Sequence, residues 1–377
     1  MNPVHIKAII RKEFYHLIRD YRSLYLAFAI PLILIILFGY ALSLDVNNVK
    51  IVVIDYDKTE LSRDFLSKLS ASPYFRIVAH LDKTKTAVEY LDDNRTTAAI
   101  IIPPDFMKDI RADRTAALQI IIDGSDPNMA GIIRSYLTVI CEKYNQKLLT
   151  TFLNRQNLSK INAPVDGRIR VWFNEDLESR NFIVPGIIAL IIMIVAALLT
   201  SLVIAREYEN GTMETIKSLP VKAGEFYLGK AAPYFLIALI DVLVAMTSGQ
   251  ILFGVVMKGN FWLMLTATSL YIFVALSLGL FISNVTKSQM LANQMAILLT
   301  YLPSLLLSNF VFPIINMPAF LQYLTYLVPA RYYIDILTGI YLRNTGFSYL
   351  WPSLLVLFLF FAILSMLNLR MLRREGL

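Results

Sequence analysis

Six stretches of this sequence are apolar for long enough to cross a lipid bilayer, and nothing else in it constrains the fold so strongly. They cover residues 24–44, 183–205, 231–256, 261–282, 290–312 and 349–369. The hydrocarbon layer is about 30 Å thick, which takes roughly 20 helical residues to span. Five of the runs hold no charged side chain, and the third holds one, Asp241. One such run could be a buried core helix, but six together call for a membrane. Composition agrees. Hydrophobic residues make up 56% and charged residues 17%, against about 45–50% and about 25% in soluble domains. That balance excludes an ordinary cytosolic enzyme and a disordered chain. A single cysteine, Cys141, and three histidines exclude a disulfide scaffold and a cysteine-rich metal centre.

Orientation follows from the basic residues, which accumulate on the cytoplasmic side. Lys7, Arg11, Lys12, Arg19 and Arg22 precede the first run, which is too long for a signal-peptide core and is read as an uncleaved helix. Arg206, Lys217, Lys222 and Lys230 follow the second, Lys287 the fourth, and Arg370, Arg373 and Arg374 the last. The opposite short loops hold Lys258, Arg331 and Arg343. Both termini and the loop 206–230 are therefore expected in the cytoplasm, with residues 45–182 outside. Those residues carry nineteen basic and nineteen acidic side chains, so the net charge of +7 belongs to the membrane part. It reflects topology and gives no reason to expect nucleic acid as a partner.

Residues 45–182 read as a soluble α/β domain. Short β-branched runs at 49–54, 76–80, 98–102 and 118–122 alternate with helical patterns at 62–70, 86–91 and 105–112, the last opened by Pro104. A turn at 123–127 leads into a helix over 128–158, and 168–173 reads as a returning strand. The acid pairs Asp55/Asp57 and Asp92/Asp93 are expected to be solvated loop carboxylates. Cys141 lies on an apolar helical stripe, which points to packing.

The expected fold is thus an α-helical polytopic membrane protein with six transmembrane helices. A cytoplasmic interfacial helix covers 1–23, and an external (periplasmic) α/β domain is inserted between helices one and two. Residues 224–231, Gly-Glu-Phe-Tyr-Leu-Gly-Lys-Ala, nearly reproduce a phosphate-binding loop. Ala231 replaces the hydroxyl that would hold magnesium, no strand precedes it, and an apolar run follows. The chain is not expected to bind and hydrolyse ATP by itself or to act as an enzyme, and no catalytic or metal-ligating set is expected in it.

The loop after the second run reads Arg206-Glu-Tyr-Glu-Asn-Gly-Thr-Met-Glu214. It resembles the R-E-x-E-x-G-T-M-E signature of ABC-2 type transporter permeases. A second stretch, Phe312-Pro313-Ile-Ile-Asn-Met317-Pro318 followed by Pro329-Ala-Arg331-Tyr332, is similar to that family's motif before the last helix. The N-terminal Arg11-Lys-Glu and Arg19-Asp-Tyr-Arg22 resemble its opening motif. One departure is Asn309, where glycine is common in the family. The likeness covers nearly the whole chain, and the external domain resembles that of bacterial drug exporters.

The resemblance implies a permease that works as a dimer, with a second copy or a sister permease, in the bacterial inner membrane. Separate ABC ATPase subunits would carry ATP and magnesium. Membrane lipids and periplasmic export components would be further partners. It also implies that 206–220 carries a coupling helix. Arg206, Glu207, Glu209, Thr212, Met213 and Glu214 are then the candidate coupling residues, Gly211 permitting a tight bend. Glu207, Glu209 and Glu214 would contact the ATPase.

A charge at the position of Asp241 costs at least about 2.5 kcal/mol by insertion scales, so either a structural hydrogen bond or cation handling is expected of it. The latter defines the alternative function, a secondary cation/proton antiporter. A third reading, a membrane-anchored sensor, leaves five helices unexplained. The segment 313–344 is too polar and too proline-broken to span, and is expected to be a re-entrant or interfacial hairpin on the outer side. The transported substrate is not written in the sequence.

Overall fold

The apolar runs and the α/β pattern become two separate units in the computed structural model, which describes residues 2–19, 21–41, 48–112, 114–125, 127–155 and 179–377. One unit comprises the described residues before 42 and after 178, and the other residues 48–155.

The first unit begins with α1 (Pro3–Arg19) and α2 (Tyr21–Ala41). Its remaining helices come after the second unit. In the second unit the chain runs β1 (Val49–Asp55), α3 (Glu60–Ser70), β2 (Phe75–His80), α4 (Thr84–Asp92), β3 (Ala98–Ile102), α5 (Phe106–Arg111), β4 (Gln119–Ile122) and α6 (Pro127–Arg155). The strand order is β2-β1-β3-β4, with β4 antiparallel to β3 and the other pairs parallel. Alternate residues of β1 and β3 enter different cores, because side chains of a strand point to opposite faces. Val49, Ile51, Val53, Ile100 and Ile102 pack with Phe65, Leu69, Ile133 and Leu137 of α3 and α6. Val52, Ile54, Ala99 and Ile101 pack with Ala87 of α4.

Two expectations change here. Helix α5 starts at Phe106 after its cap Asp105, so Pro104 lies outside it. The carboxylates of Asp55 and Asp57 are engaged. Asp55 accepts from the Asp57 and Lys58 amides at 3.1 and 2.9 Å and from Ser62 Oγ at 2.7 Å. Asp57 accepts from the Met107 amide at 3.1 Å. They tie the β1–α3 turn to the start of α5. The expected strand at 168–173 lies outside the described residues. Cys141 packs against the α3/α6 core, and burial raises its thiol, which disfavours the thiolate a nucleophile needs.

Lys147 on α6 donates to Asp64 on α3 at 2.6 and 2.9 Å. Its hydrogen bond is the main reason the Asp64 carboxyl sits below its usual range. A depressed carboxyl stabilises the fold above its unfolded value, about 3.9, and that contribution is lost as pH falls through the folded value. The pair is 46% and 32% exposed, so Lys147→Ala is expected to lose no more than about 1 kcal/mol. In thermal melts the difference from wild type should be present at pH 7 and shrink below about pH 4.

The first unit continues with α7 (Arg180–Glu209), α8 (Thr212–Ser218), α9 (Ala223–Phe253), α10 (Phe261–Thr286), α11 (Gln289–Ala296), a π turn (Ile297–Tyr301) and α12 (Leu302–Leu306). After a 3-10 turn (Ile314–Asn316) come α13 (Ala319–Leu324), a second 3-10 turn (Thr325–Leu327), α14 (Pro329–Arg343) and α15 (Phe347–Arg374). Among the described residues, α7, α9, α10 and α15 are long and apolar enough to cross a membrane. The run 290–312 is helical without a break from Gln289 to Leu306, but one turn of it, Ile297–Tyr301, is π rather than α. Pro303 lacks an amide hydrogen and its ring crowds the carbonyl four residues back. The helix widens into the π turn immediately before it.

Helix α7 is the hub. Its apolar window is 78% buried, and it packs against α2, α9, α10, α11 and α14. Small residues bring α7 and α10 close, for a Cβ on Gly279 would lie 2.1 Å from Thr200 Oγ1 and 2.5 Å from the Ala197 carbonyl. Thr200 also donates to the Leu276 carbonyl at 3.3 Å.

Candidate functional site: a buried charge cluster beneath α8

Helix α7 carries its helical geometry through Arg206, Glu207 and Glu209, so these residues form its last turn and no loop begins at 206. Gly211 follows at φ +70° and starts α8. No atom lies within 4 Å of where its side chain would be, so the backbone conformation alone selects glycine. Gly211→Val is expected to cost about 1–3 kcal/mol, whereas Gly211→Asn, which tolerates this region, should melt near wild type.

Glu207 was expected to face a partner. Instead it turns inward, where only 9% of its side chain is exposed. Its Oε1 accepts from Lys230 Nζ at 2.5 Å and from Lys12 Nζ at 2.7 Å, and Thr212 Oγ1 donates to its Oε2. Lys230 Nζ also donates to Glu13 Oε1 at 2.6 Å. Two carboxylates and two ammonium groups thus join α1, α7, α9 and the first residue of α8. A neutral, mutually hydrogen-bonded set is the form in which charge tolerates burial. The near match to a phosphate loop lies within α9, and its lysine is committed to this cluster.

A third carboxylate ties α9 to the start of α1. Glu225, near the start of α9, accepts from the Asn2 amide at 2.6 Å and the Lys222 amide at 3.2 Å. His5 Nδ1 lies 3.0 Å from Oε2, the oxygen that also accepts from the Lys222 amide. A cavity of about 310 Å³, lined by Ile9, Ile216, Leu219, Val221, Phe226 and their neighbours, separates α1 from α8 and the turn after it.

The other candidates divide by surface. Met213 is buried and anchors α8, Arg206 is half-buried, and Thr212 and Glu214 are exposed. Glu209 is exposed yet accepts from Gln289 through its amide at 2.8 Å and its side chain at 2.5 Å. Glu214 is therefore the acidic member of the set that the fold turns outward. Sequence reasoning missed Glu13 and the partnership of Lys230 with it. The signal was present, because Glu13 interrupts the apolar stripe Ile6, Ile10, Leu17 on α1.

The second motif builds a braced corner. Asn309 adopts φ +70°, a region open to asparagine and to the glycine common in the family. Its Oδ1 accepts from the Ile314 amide at 3.0 Å. Phe312 is exposed, Pro313 precedes the 3-10 turn and Pro318 precedes α13, whose Gln322 donates to the Met317 carbonyl at 2.8 Å. Pro329 opens α14. Arg331 lies over the Tyr326 ring at 4.0 Å and donates to Thr325, while Tyr332 Oη donates to the Tyr326 carbonyl at 3.1 Å. Both residues clamp the 3-10 turn onto α14. Within the stretch expected to be a hairpin, α14 is packed inward, Tyr333 stacking on Tyr271 at 4.0 Å and bonding Thr268 at 2.7 Å. Ile315, Phe320, Tyr323 and Leu327 are exposed.

Asp241 is 2% exposed on α9, and its Oδ1 has no hydrogen-bond partner among the described residues. The expected interhelical hydrogen bond is not made by that atom.

The family profile described as ABC-2 family transporter protein matches residues 22–370. The chain is 32% identical over 369 residues to "Probable multidrug ABC transporter permease YbhS" of Escherichia coli strain K12, covering 97% of this chain and 95% of the relative. It is 30% identical to "Probable multidrug ABC transporter permease YbhR" of the same organism, covering 92% of each. It is 27% identical to "Inner membrane transport permease YhhJ", also from that organism, covering 82% of this chain and 81% of the relative. On this profile match and these relatives, and with four membrane-length helices among its described residues, the chain belongs to the ABC-2 family of transporter proteins.

Proposed function

We propose that this chain is the membrane-spanning subunit of an ATP-driven exporter of the bacterial inner membrane. It moves a hydrophobic or amphipathic, drug-like or lipid-like substrate out of the cytoplasm or the inner leaflet. Separate ABC ATPase subunits supply the energy from ATP and magnesium, and the permease pairs with a second copy or a sister chain. Both termini lie in the cytoplasm, residues 45–182 lie outside, and 313–344 lie at the outer interface. The observation that carries this reading is the build of α8. It is tied through Thr212 to the buried cluster and through Met213 to the apolar core, and Glu214 is left exposed for a soluble partner. Closure of the ATPases would push on α8, and the Glu207–Lys230–Glu13 links would pass that push to α7, α9 and α1. The names of the relatives support a drug-like cargo.

Asp241, whose buried Oδ1 has no hydrogen-bond partner among the described residues, favours a second reading, a cation/proton antiporter. Inverted membrane vesicles separate the two. On the exporter reading, substrate uptake needs ATP and survives a protonophore, and Asp241→Asn keeps at least about half the wild-type rate. Uptake driven by a proton gradient without ATP, and abolished by Asp241→Asn in a normally assembled protein, would replace the exporter by the antiporter.

A further inference from the structure

We propose that the outer face of α1 is a binding surface for anionic phospholipid headgroups. One side of this helix is sealed, with Glu13 and Leu17 buried and Ile9 pressed against Gly229 of α9. The other side exposes Val4, Phe14, Tyr15 and Ile18, each 45–68% accessible. Between them stand Lys7, Arg11 and Arg19, all exposed, with the Arg11 guanidinium over the Tyr15 ring at 5.6 Å. At 100° per residue these seven side chains fall within an arc of roughly 140°. The arc holds no acid, since Glu13, the one acidic residue of α1, is on the sealed side.

Depth selects the partner. The first apolar run begins at residue 24, five residues after the end of α1, a reach of at most about 18 Å of chain. That places α1 at the level of the headgroups. Aliphatic and aromatic side chains alternating with cations at this depth suit an interface whose lipids are apolar below and negative above. Lys12 is not part of the surface, because Glu207 holds it. The inference rests on α1 bordering the membrane and does not depend on ATPase docking at α8.

The test is native mass spectrometry of the full chain after equilibration with vesicles of equal phosphatidylglycerol and phosphatidylethanolamine. Wild type should retain phosphatidylglycerol preferentially, and less of it as salt rises. Lys7→Gln/Arg11→Gln/Arg19→Gln should weaken that retention roughly fivefold per cation, about a hundredfold together. The charge-preserving Lys7→Arg/Arg11→Lys/Arg19→Lys and the distant control Lys258→Gln should behave as wild type. Equal retention by wild type and the neutral triple variant overturns the proposal. So does loss of lipid in the charge-preserving variant. A triple variant that keeps its lipid but loses a co-purifying protein would reassign the face to that protein.

Discussion

Lys230→Met is expected to lower stability by about 3–5 kcal/mol, the penalty for leaving buried carboxylates without their cation. That is a large share of the total stability of an ordinary folded unit, about 5–15 kcal/mol. It should appear as a sharply lower melting temperature and poor recovery of the purified chain. Lys230 is 2% exposed and serves both Glu13 and Glu207, so no water can replace it. Lys12, with 43% of its side chain exposed, is the internal comparison. Lys12→Ala should cost about 1 kcal/mol or less. Glu13→Gln and Glu207→Gln added to Lys230→Met should recover most of the loss, because the buried charges then vanish together and Lys12, 43% exposed, stays in water. A Lys230→Met protein that melts like wild type would show that the cluster is not a structural joint.

Glu214→Lys is expected to act in the opposite way, sparing the fold and stopping transport. The side chain is exposed on α8, so melting should stay within about 0.5 kcal/mol of wild type. A like charge set against a complementary surface costs several kcal/mol. ATP-driven uptake in vesicles should therefore fall at least about tenfold, and ATPase subunits should wash off the membrane at lower salt. Unchanged uptake would remove α8 from the docking surface.

The membrane helices α7, α9, α10 and α15 were legible because each is an unbroken apolar run of spanning length. The run 290–312 was equally apolar, and hydropathy alone cannot show that its helix widens into a π turn and stops at Leu306. In the other unit, β-branched runs located all four described strands, and their alternation of faces explains why β3, the strand covered by helices on both sides, is apolar throughout. The bend at Gly211 was legible, since few other residues accept its backbone angle. The direction of Glu207 was not. It depends on Glu13 and Lys230, which approach only when α1 and α9 pack together, and an acid at the end of an apolar helix looks solvated until that contact is known. Lys230 was visible for the wrong reason, as part of an imperfect phosphate loop. Asn309, a departure from the family pattern, became intelligible once its positive φ was on view.

Site-specific cross-linking tests the docking of a soluble ATPase on α8 most directly. Cys141 is the one native cysteine, so Cys141→Ser gives a clean background. Glu214→Cys on it should cross-link in native membranes to a soluble protein that binds ATP, whereas Asp64→Cys, in the unit proposed to lie outside, should not. Adducts only with lipid or with the chain itself at position 214, or equal capture of the ATPase from position 64, would contradict that docking.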